Sequence, residues 1–238
     1  IALDGSYRAL FLAKGLVYLL FGWVIWWAIA ETRQHETTLK QVAINWGAAL
    51  RDRRLVVFLV ADAFFAVYGA QLSGTLPLYL VNFIPSGNAA FGFSEQVISY
   101  LFFWHALLKI IGQLPVVRWT KQIDYVSILL VTLLAWAGGA TFFWLAGVVP
   151  MSALAIALIG FFFVALAEIL YGPAASALVG ELAPPAQRGI YFSLESECWA
   201  VGFLIGPALG GWALDHPVHW GANLWLVLVA STGLPGVI

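Results

Sequence analysis

The chain has 238 residues, of which 62% are hydrophobic and 10% charged, with a formal net charge of -1. An ordinary soluble domain is about a quarter charged, so a water-soluble fold of this length could not cover its apolar surface, whereas a lipid bilayer removes that need. The near-neutral charge excludes a nucleic-acid partner, which asks for a basic face, and the single cysteine, Cys198, excludes an internal disulfide.

A helix that crosses a bilayer needs about 20 mostly apolar residues. Such runs lie at roughly 9–30, 55–84, 95–118, 125–147, 151–178, 190–214 and 222–238, which predicts an all-α polytopic transmembrane bundle. A membrane barrel would instead alternate in segments of about ten residues. The punctuation fits: Ile84-Pro85-Ser86-Gly87-Asn88 reads as a loop, Gly147 to Pro150 as a tight turn, and Pro184-Pro185 as a break that no helix runs through. The layout is one span at 1–31, a charged linker at 32–54, and six spans over 55–238. Within the linker, TLKQVAINWGAAL (38–50) places Leu39, Val42, Ala43, Trp46 and Leu50 on one helical face. That predicts a short amphipathic helix on the membrane surface. With no initiator Met and an end inside an apolar run, the chain reads as a piece of a longer protein.

Lys and Arg in short loops set orientation. The linker holds Arg33, Lys40, Arg51, Arg53 and Arg54, the next loop none, the following one Arg118 and Lys121, then none, then Arg188, then none. That alternation places 31–54, 118–124 and 179–189 in the cytoplasm, with Arg8 and Lys14 as the exceptions. The membrane expected is the bacterial cytoplasmic (inner) membrane. Twelve Trp suit interfacial belts.

Charges inside spans are the sharper signal, because burying one in lipid costs at least a few kcal/mol. Lys14, Asp62, Lys109, Glu168, Glu195 and Glu197 qualify. At 1.5 Å per residue, Glu168 lies roughly 15 Å deep, Lys109 roughly 13 Å and Asp62 roughly 10 Å. Glu195 and Glu197 sit in the first two turns of their helix, where water still reaches. Glu195 is seven residues before Gly202 and shares its face, while Glu197 points about 140° away. Glu168 is the first candidate for a proton site, since a desolvated carboxyl can load and release a proton near neutral pH. Its alternative is a permanent pair with a cation such as Lys109. Lys109 has Asp62 as a second possible partner, and Arg188 has Glu181 or Glu195. Gly202, Gly206 and Gly210, spaced by four, mark a face where another helix approaches closely, and Pro207 can bend that helix. His216-Pro217-Val218-His219 offers two histidines, too few for a metal site. No phosphate loop, nucleophile–base pair or haem motif is present, so catalysis and cofactors have no support.

One span, a linker and six spans is what the major facilitator superfamily looks like from its sixth helix to its twelfth. AETR (Ala30 to Arg33) resembles the close of the sixth helix, and YGAQLSGTLPLYL (Tyr68 to Leu80) is similar to the seventh. GPAASALVGELAPPAQRG (Gly172 to Gly189) resembles the tenth helix and its following loop, and GFLIGPALGG (Gly202 to Gly211) the eleventh. GQLPVVRWTKQID (Gly112 to Asp124) keeps the Gly and basic residues of the family's Gly/Asp/Arg loop without its full pattern, as in a C-terminal half. The drug/proton antiporter branch is the nearest likeness.

The resemblance implies a secondary transporter that alternates access around a central cavity, exporting a small, partly apolar molecule against protons. Asp62, Glu168 and Glu195 become proton-coupling candidates. Gln71, Tyr68, Tyr171 and Trp104, with Phe65 and Tyr79, become cavity candidates. Gly202, Gly206, Pro207 and Gly210 match the pseudo-symmetric copy of the family's antiporter motif, with a packing or gating role. The implied partners are the bilayer, the solute, protons and an N-terminal half of the same transporter. The contrasting reading is a transporter-like subunit with a structural or assembly role in a larger membrane complex.

Overall fold

A computed structural model describes residues 5–28, 46–85, 92–149 and 152–237. They form helices and turns, with no strand among the described residues. The chain divides into two compact units, Ile1–Ala43 and Ile44–Ile238. In the first, α1 (Gly5–Ala28) is apolar around its circumference, with Phe11, Leu12, Leu19 and Trp26 exposed, as suits a helix immersed in lipid.

The second unit contains α2 (Arg53–Ser73), α3 (Thr75–Asn82), α4 (Glu95–Thr120), α5 (Tyr125–Val148), α6 (Ala153–Leu182), α7 (Arg188–Asp215), α8 (Asn223–Ser231) and α9 (Gly233–Val237), with a 3-10 turn at Pro185–Gln187. Among the described residues, α1, α2, α4, α5, α6 and α7 are long and apolar enough to cross a membrane, and Asn223–Gly236 forms a shorter apolar stretch. Each of the seven expected runs therefore holds helix. The amphipathic helix expected at 38–50 lies largely outside the described residues; its last part, 46–49, is helical, with Ala49 buried and Leu50 exposed.

The helix starts are set locally. Asp52, Ser94 and Asp124 cap α2, α4 and α5 by accepting the backbone N–H of Arg54 (3.0 Å), Val97 (3.4 Å) and Ser127 (2.8 Å), groups that have no partner within the helix. Asp52 also accepts from the Tyr191 hydroxyl at 2.9 Å, which ties α2 to α7. Partial burial pushes the Asp52 carboxyl up, but these hydrogen bonds outweigh it and hold the group below its usual value.

The run 55–84 was expected as one helix and is two. Gly74 separates α2 from α3, and Pro207 of α7 stands against it: a Cβ on Gly74 would lie 3.0 Å from the proline ring. The Gly74 N–H still reaches the carbonyls of Ala70 and Gln71, so the rod bends without losing its bonds. Pro77 falls in the first turn of α3, where a missing N–H costs nothing.

Long-range packing is dominated by two helix pairs. Along α5 and α6, a Cβ on Gly139 would lie 2.5 Å from Val164 Cγ2, and one on Gly160 2.7 Å from Phe143. Along α2 and α7, a Cβ on Gly202 would lie 2.4 Å from Ala66 Cβ, and one on Gly206 2.7 Å from Ala70 Cβ. Small residues thus let backbones meet where lipid supplies no hydrophobic drive. Helix α4 packs on α6, and α8 packs on α5. Arg53 and Arg54 share a cavity of about 650 Å³ with Val126 and Leu182, so the starts of α2 and α5 and the end of α6 meet at one basic end.

Candidate functional site

Polar side chains within the spans gather into three groups. In the first, Asp62 of α2 is fully buried. The Tyr171 hydroxyl of α6 donates to Asp62 Oδ1, and Trp199 Nε1 of α7 donates to that hydroxyl at 2.9 Å. Asp62 Oδ2 has no hydrogen-bond partner among the described residues, and no cation there pairs with it. Three helices therefore meet at one carboxyl.

In the second group, Lys109 Nζ of α4 lies 2.6 Å from Glu168 Oε2 of α6, and His105 Nε2 lies 3.2 Å from the same oxygen. These are ion-pair distances, and neither His105 Nε2 nor Glu168 Oε2 has a hydrogen-bond partner of regular geometry among the described residues. His105 and Lys109 are four residues apart and share a helix face. Sequence reasoning, which counted only Asp, Glu, Lys and Arg, passed over His105, although that i, i+4 spacing was visible. The expected alternative pairing of Lys109 with Asp62 is corrected: Lys109 meets Glu168, because α4 packs on α6, which carries both Glu168 and Tyr171.

The third group is a seam between α2 and α7. Gln71 Nε2 donates to the Gly206 carbonyl at 2.8 Å, and Thr75 Oγ1 donates to Gln71 Oε1 at 2.5 Å. A Cβ on Gly210 would lie 1.8 Å from Thr75 Oγ1. The glycine column and Pro207 thus face α2 and α3.

Glu168 and Tyr171, three apart on α6, join the first two groups. Together with Phe65, Trp136 and Trp199 they line a cavity of about 250 Å³. Rings pave it: Phe65 to Tyr171 at 5.0 Å and Tyr171 to Trp199 at 5.4 Å. Phe65 also borders the larger cavity at the basic end, so its ring stands between the two.

Of the cavity candidates, Tyr171 and Phe65 line this chamber. Tyr68 and Gln71 face a slot of about 10 Å³, room for about one water, and Tyr68 is engaged with Ser231 Oγ at 3.0 Å. Trp104 donates to the Leu158 carbonyl at 3.3 Å between α4 and α6, and Tyr79 donates to the Phe143 carbonyl at 3.2 Å. Glu195 is half-buried and Glu197 exposed. Neither makes an ion pair among the described residues, and the expected partnership of Arg188 with Glu181 or Glu195 is not formed there. Arg188 is exposed, where water and side-chain entropy leave an ion pair little to gain.

None of the curated proteins matches the chain. The sequence profile described as the Major Facilitator Superfamily matches residues 80–235, which run from the end of α3 through α4 to α8 and into α9 and include His105, Lys109, Glu168, Tyr171 and Trp199. With that match over more than half of its length and helices long enough to span a bilayer, the chain belongs to the Major Facilitator Superfamily of membrane transporters.

Proposed function

We propose that the chain works in proton-coupled export of a small, partly apolar molecule by alternating access, with the 250 Å³ chamber as solute site and Asp62 as proton carrier. The observation that carries this is Asp62 itself: fully buried, without a cation, with one carboxyl oxygen unpartnered. An anion so placed is costly, and a bound proton removes the charge. Tyr171 links the carboxyl to the chamber wall, so solute arrival and proton release act on one hydrogen-bonded chain. Glu168, first among the candidates by depth, becomes second because Lys109 and His105 already serve it. Glu195, nearer the basic end on α7, is a proton-entry candidate. The α2–α7 glycine seam, with Pro207 against Gly74, would carry the two helices as one body during rocking.

In this reading the chain is the C-terminal half of an antiporter-like transporter, 1–31 is the last helix of the other half, and 32–54 is a cytoplasmic linker. Support comes from the gathering of Arg53, Arg54 and the ends of α5 and α6 at one basic end, the side expected to face the cytoplasm of a bacterial inner membrane. The test is infrared spectroscopy of the protein in lipid at neutral pH, with wild type and Asp62→Asn compared. A protonated-carboxyl band present in wild type and missing in the variant is expected, with proton-driven flux abolished in proteoliposomes of the whole transporter. Coupled flux at the wild-type rate in Asp62→Asn would overturn the assignment.

A further inference from the structure

Tyr171 links Asp62 to the chamber wall, and one neighbour fixes the direction of that link. A phenol hydroxyl has one hydrogen to give and lone pairs with which to accept, whereas an indole N–H can only donate. Trp199 Nε1 donates to the Tyr171 oxygen at 2.9 Å. The Tyr171 hydrogen therefore cannot be aimed at the indole and is left for Asp62 Oδ1. The bond from the indole also polarises the hydroxyl and strengthens the bond that the hydroxyl makes in turn. Without the indole N–H, the hydroxyl would be free to turn about its C–O bond, away from Asp62.

The indole is itself seated. Gly69 lies seven residues after Asp62 on α2 and shares its helix face. A Cβ on Gly69 would lie 3.0 Å from Trp199 Cζ3 and 3.2 Å from Cη2, so the outer edge of the indole rests against bare backbone. Three residues further along α7, Gly202 meets Ala66 of α2, which keeps that part of α7 close to the seat. One helix thus supplies both the carboxyl and the seat of the ring that orients its donor. The same indole is a wall of the chamber, and its ring lies 5.4 Å from that of Tyr171. We propose that Trp199, seated by Gly69, is a positioning residue that holds the Tyr171 hydrogen on Asp62 during proton-coupled transport. Gly69 acts only through this ring. The proposal rests on Asp62 carrying the proton.

The experiment has a spectroscopic arm and a transport arm. The first is nitrogen NMR of the whole chain in lipid nanodiscs with isotope-labelled tryptophan. The Trp199 indole signal is the one missing from Trp199→Phe or, should that variant fail to fold, from Trp199→Tyr. It is expected to shift in Tyr171→Phe, which removes its acceptor, in Gly69→Ala, which unseats the ring, and in Asp62→Asn, which removes the charge two hydrogen bonds away. It should stay in place in Gly211→Ala, where a Cβ meets nothing within 4 Å. An indole signal unmoved by Asp62→Asn would overturn the proposal, because a tryptophan that merely packs between helices does not report that charge. The second arm is proton-driven flux in proteoliposomes of the whole transporter. Trp199→Phe keeps a ring, loses the N–H and should slow flux by roughly two- to tenfold. Gly69→Ala should slow flux beside Trp199 and add nothing to Trp199→Phe, which lacks the seated ring edge. Additive losses, or wild-type flux in Trp199→Phe while Asp62→Asn abolishes it, would overturn the role of Trp199 alone. Coupled flux at the wild-type rate in Asp62→Asn would overturn the reading on which the proposal rests.

Discussion

Adding one methyl group at Gly202 tests the α2–α7 seam most directly. In the Gly202→Ala variant the new Cβ would lie 2.4 Å from Ala66 Cβ, 2.7 Å from the Ala66 carbonyl carbon and 2.9 Å from the Val67 nitrogen. Two of those atoms are backbone, so no rotamer change can yield and α7 must move off α2. Overpacking of this kind costs about 1–3 kcal/mol. The same shift stretches the 2.8 Å bond from Gln71 to the Gly206 carbonyl, worth about 1 kcal/mol. Against this, alanine gains up to about 1 kcal/mol of helix propensity over glycine. The balance is a loss of about 2 kcal/mol, which for a chain of this size corresponds to roughly 4–8 °C in Tm. Gly211, on the same helix, is the control, because a Cβ there meets nothing within 4 Å; Gly211→Ala should be neutral or slightly stabilising. Thermal unfolding followed by tryptophan fluorescence in matched lipid gives both numbers. Equal stability of the two alanine variants would refute the close approach of α2 and α7.

Two other substitutions probe different joints of the bundle. A Cβ on Gly147 would lie 1.9 Å from the Tyr79 hydroxyl oxygen and 3.0 Å from its Cζ, so Gly147→Ala should be destabilising by about 1–3 kcal/mol and partly rescued by Tyr79→Phe. In a double-mutant cycle on thermal stability, strict additivity would speak against the contact. Asp52→Ala removes both the α2 cap and the bond from Tyr191 and should cost about 0.5–2 kcal/mol. The Asp52 carboxyl is held below its usual value in the folded chain, so its contribution is complete above the unfolded carboxylate range and is lost as pH falls through the folded value. Wild type should therefore lose its advantage over Asp52→Ala on acidification, as read by unfolding temperature across pH; a gap that persists under acid would show that the carboxylate is not the stabilising form.

Much of the architecture was legible because hydropathy is a local property: a run of about 20 apolar residues makes a span whatever surrounds it. The loops at Pro85 and Pro184-Pro185 were equally local, since proline acts on its own backbone. The close approach of Gly74 to the ring of Pro207 was not, because the two lie 133 positions apart along the chain. Glycines spaced by four at 202, 206 and 210 marked a contact face, but not that Ala66, Ala70 and Thr75 would fill it.

The candidate site divides the same way. Its ingredients stood out in the sequence, since a charge within an apolar run is rare for a stated energetic reason, and Asp62, Lys109, Glu168 and Tyr171 were all in view. Which acid meets which partner was decided only when α4 folded onto α6 and α2 onto α7. That packing gave Lys109 and His105 to Glu168 and left Asp62 with a tyrosine in place of a cation. Pairing depends on distances between residues as far apart as 62 and 171, and a linear pattern carries no such distance. The bilayer-spanning class was thus written residue by residue along the chain, while the chamber and its charges exist only as a product of packing.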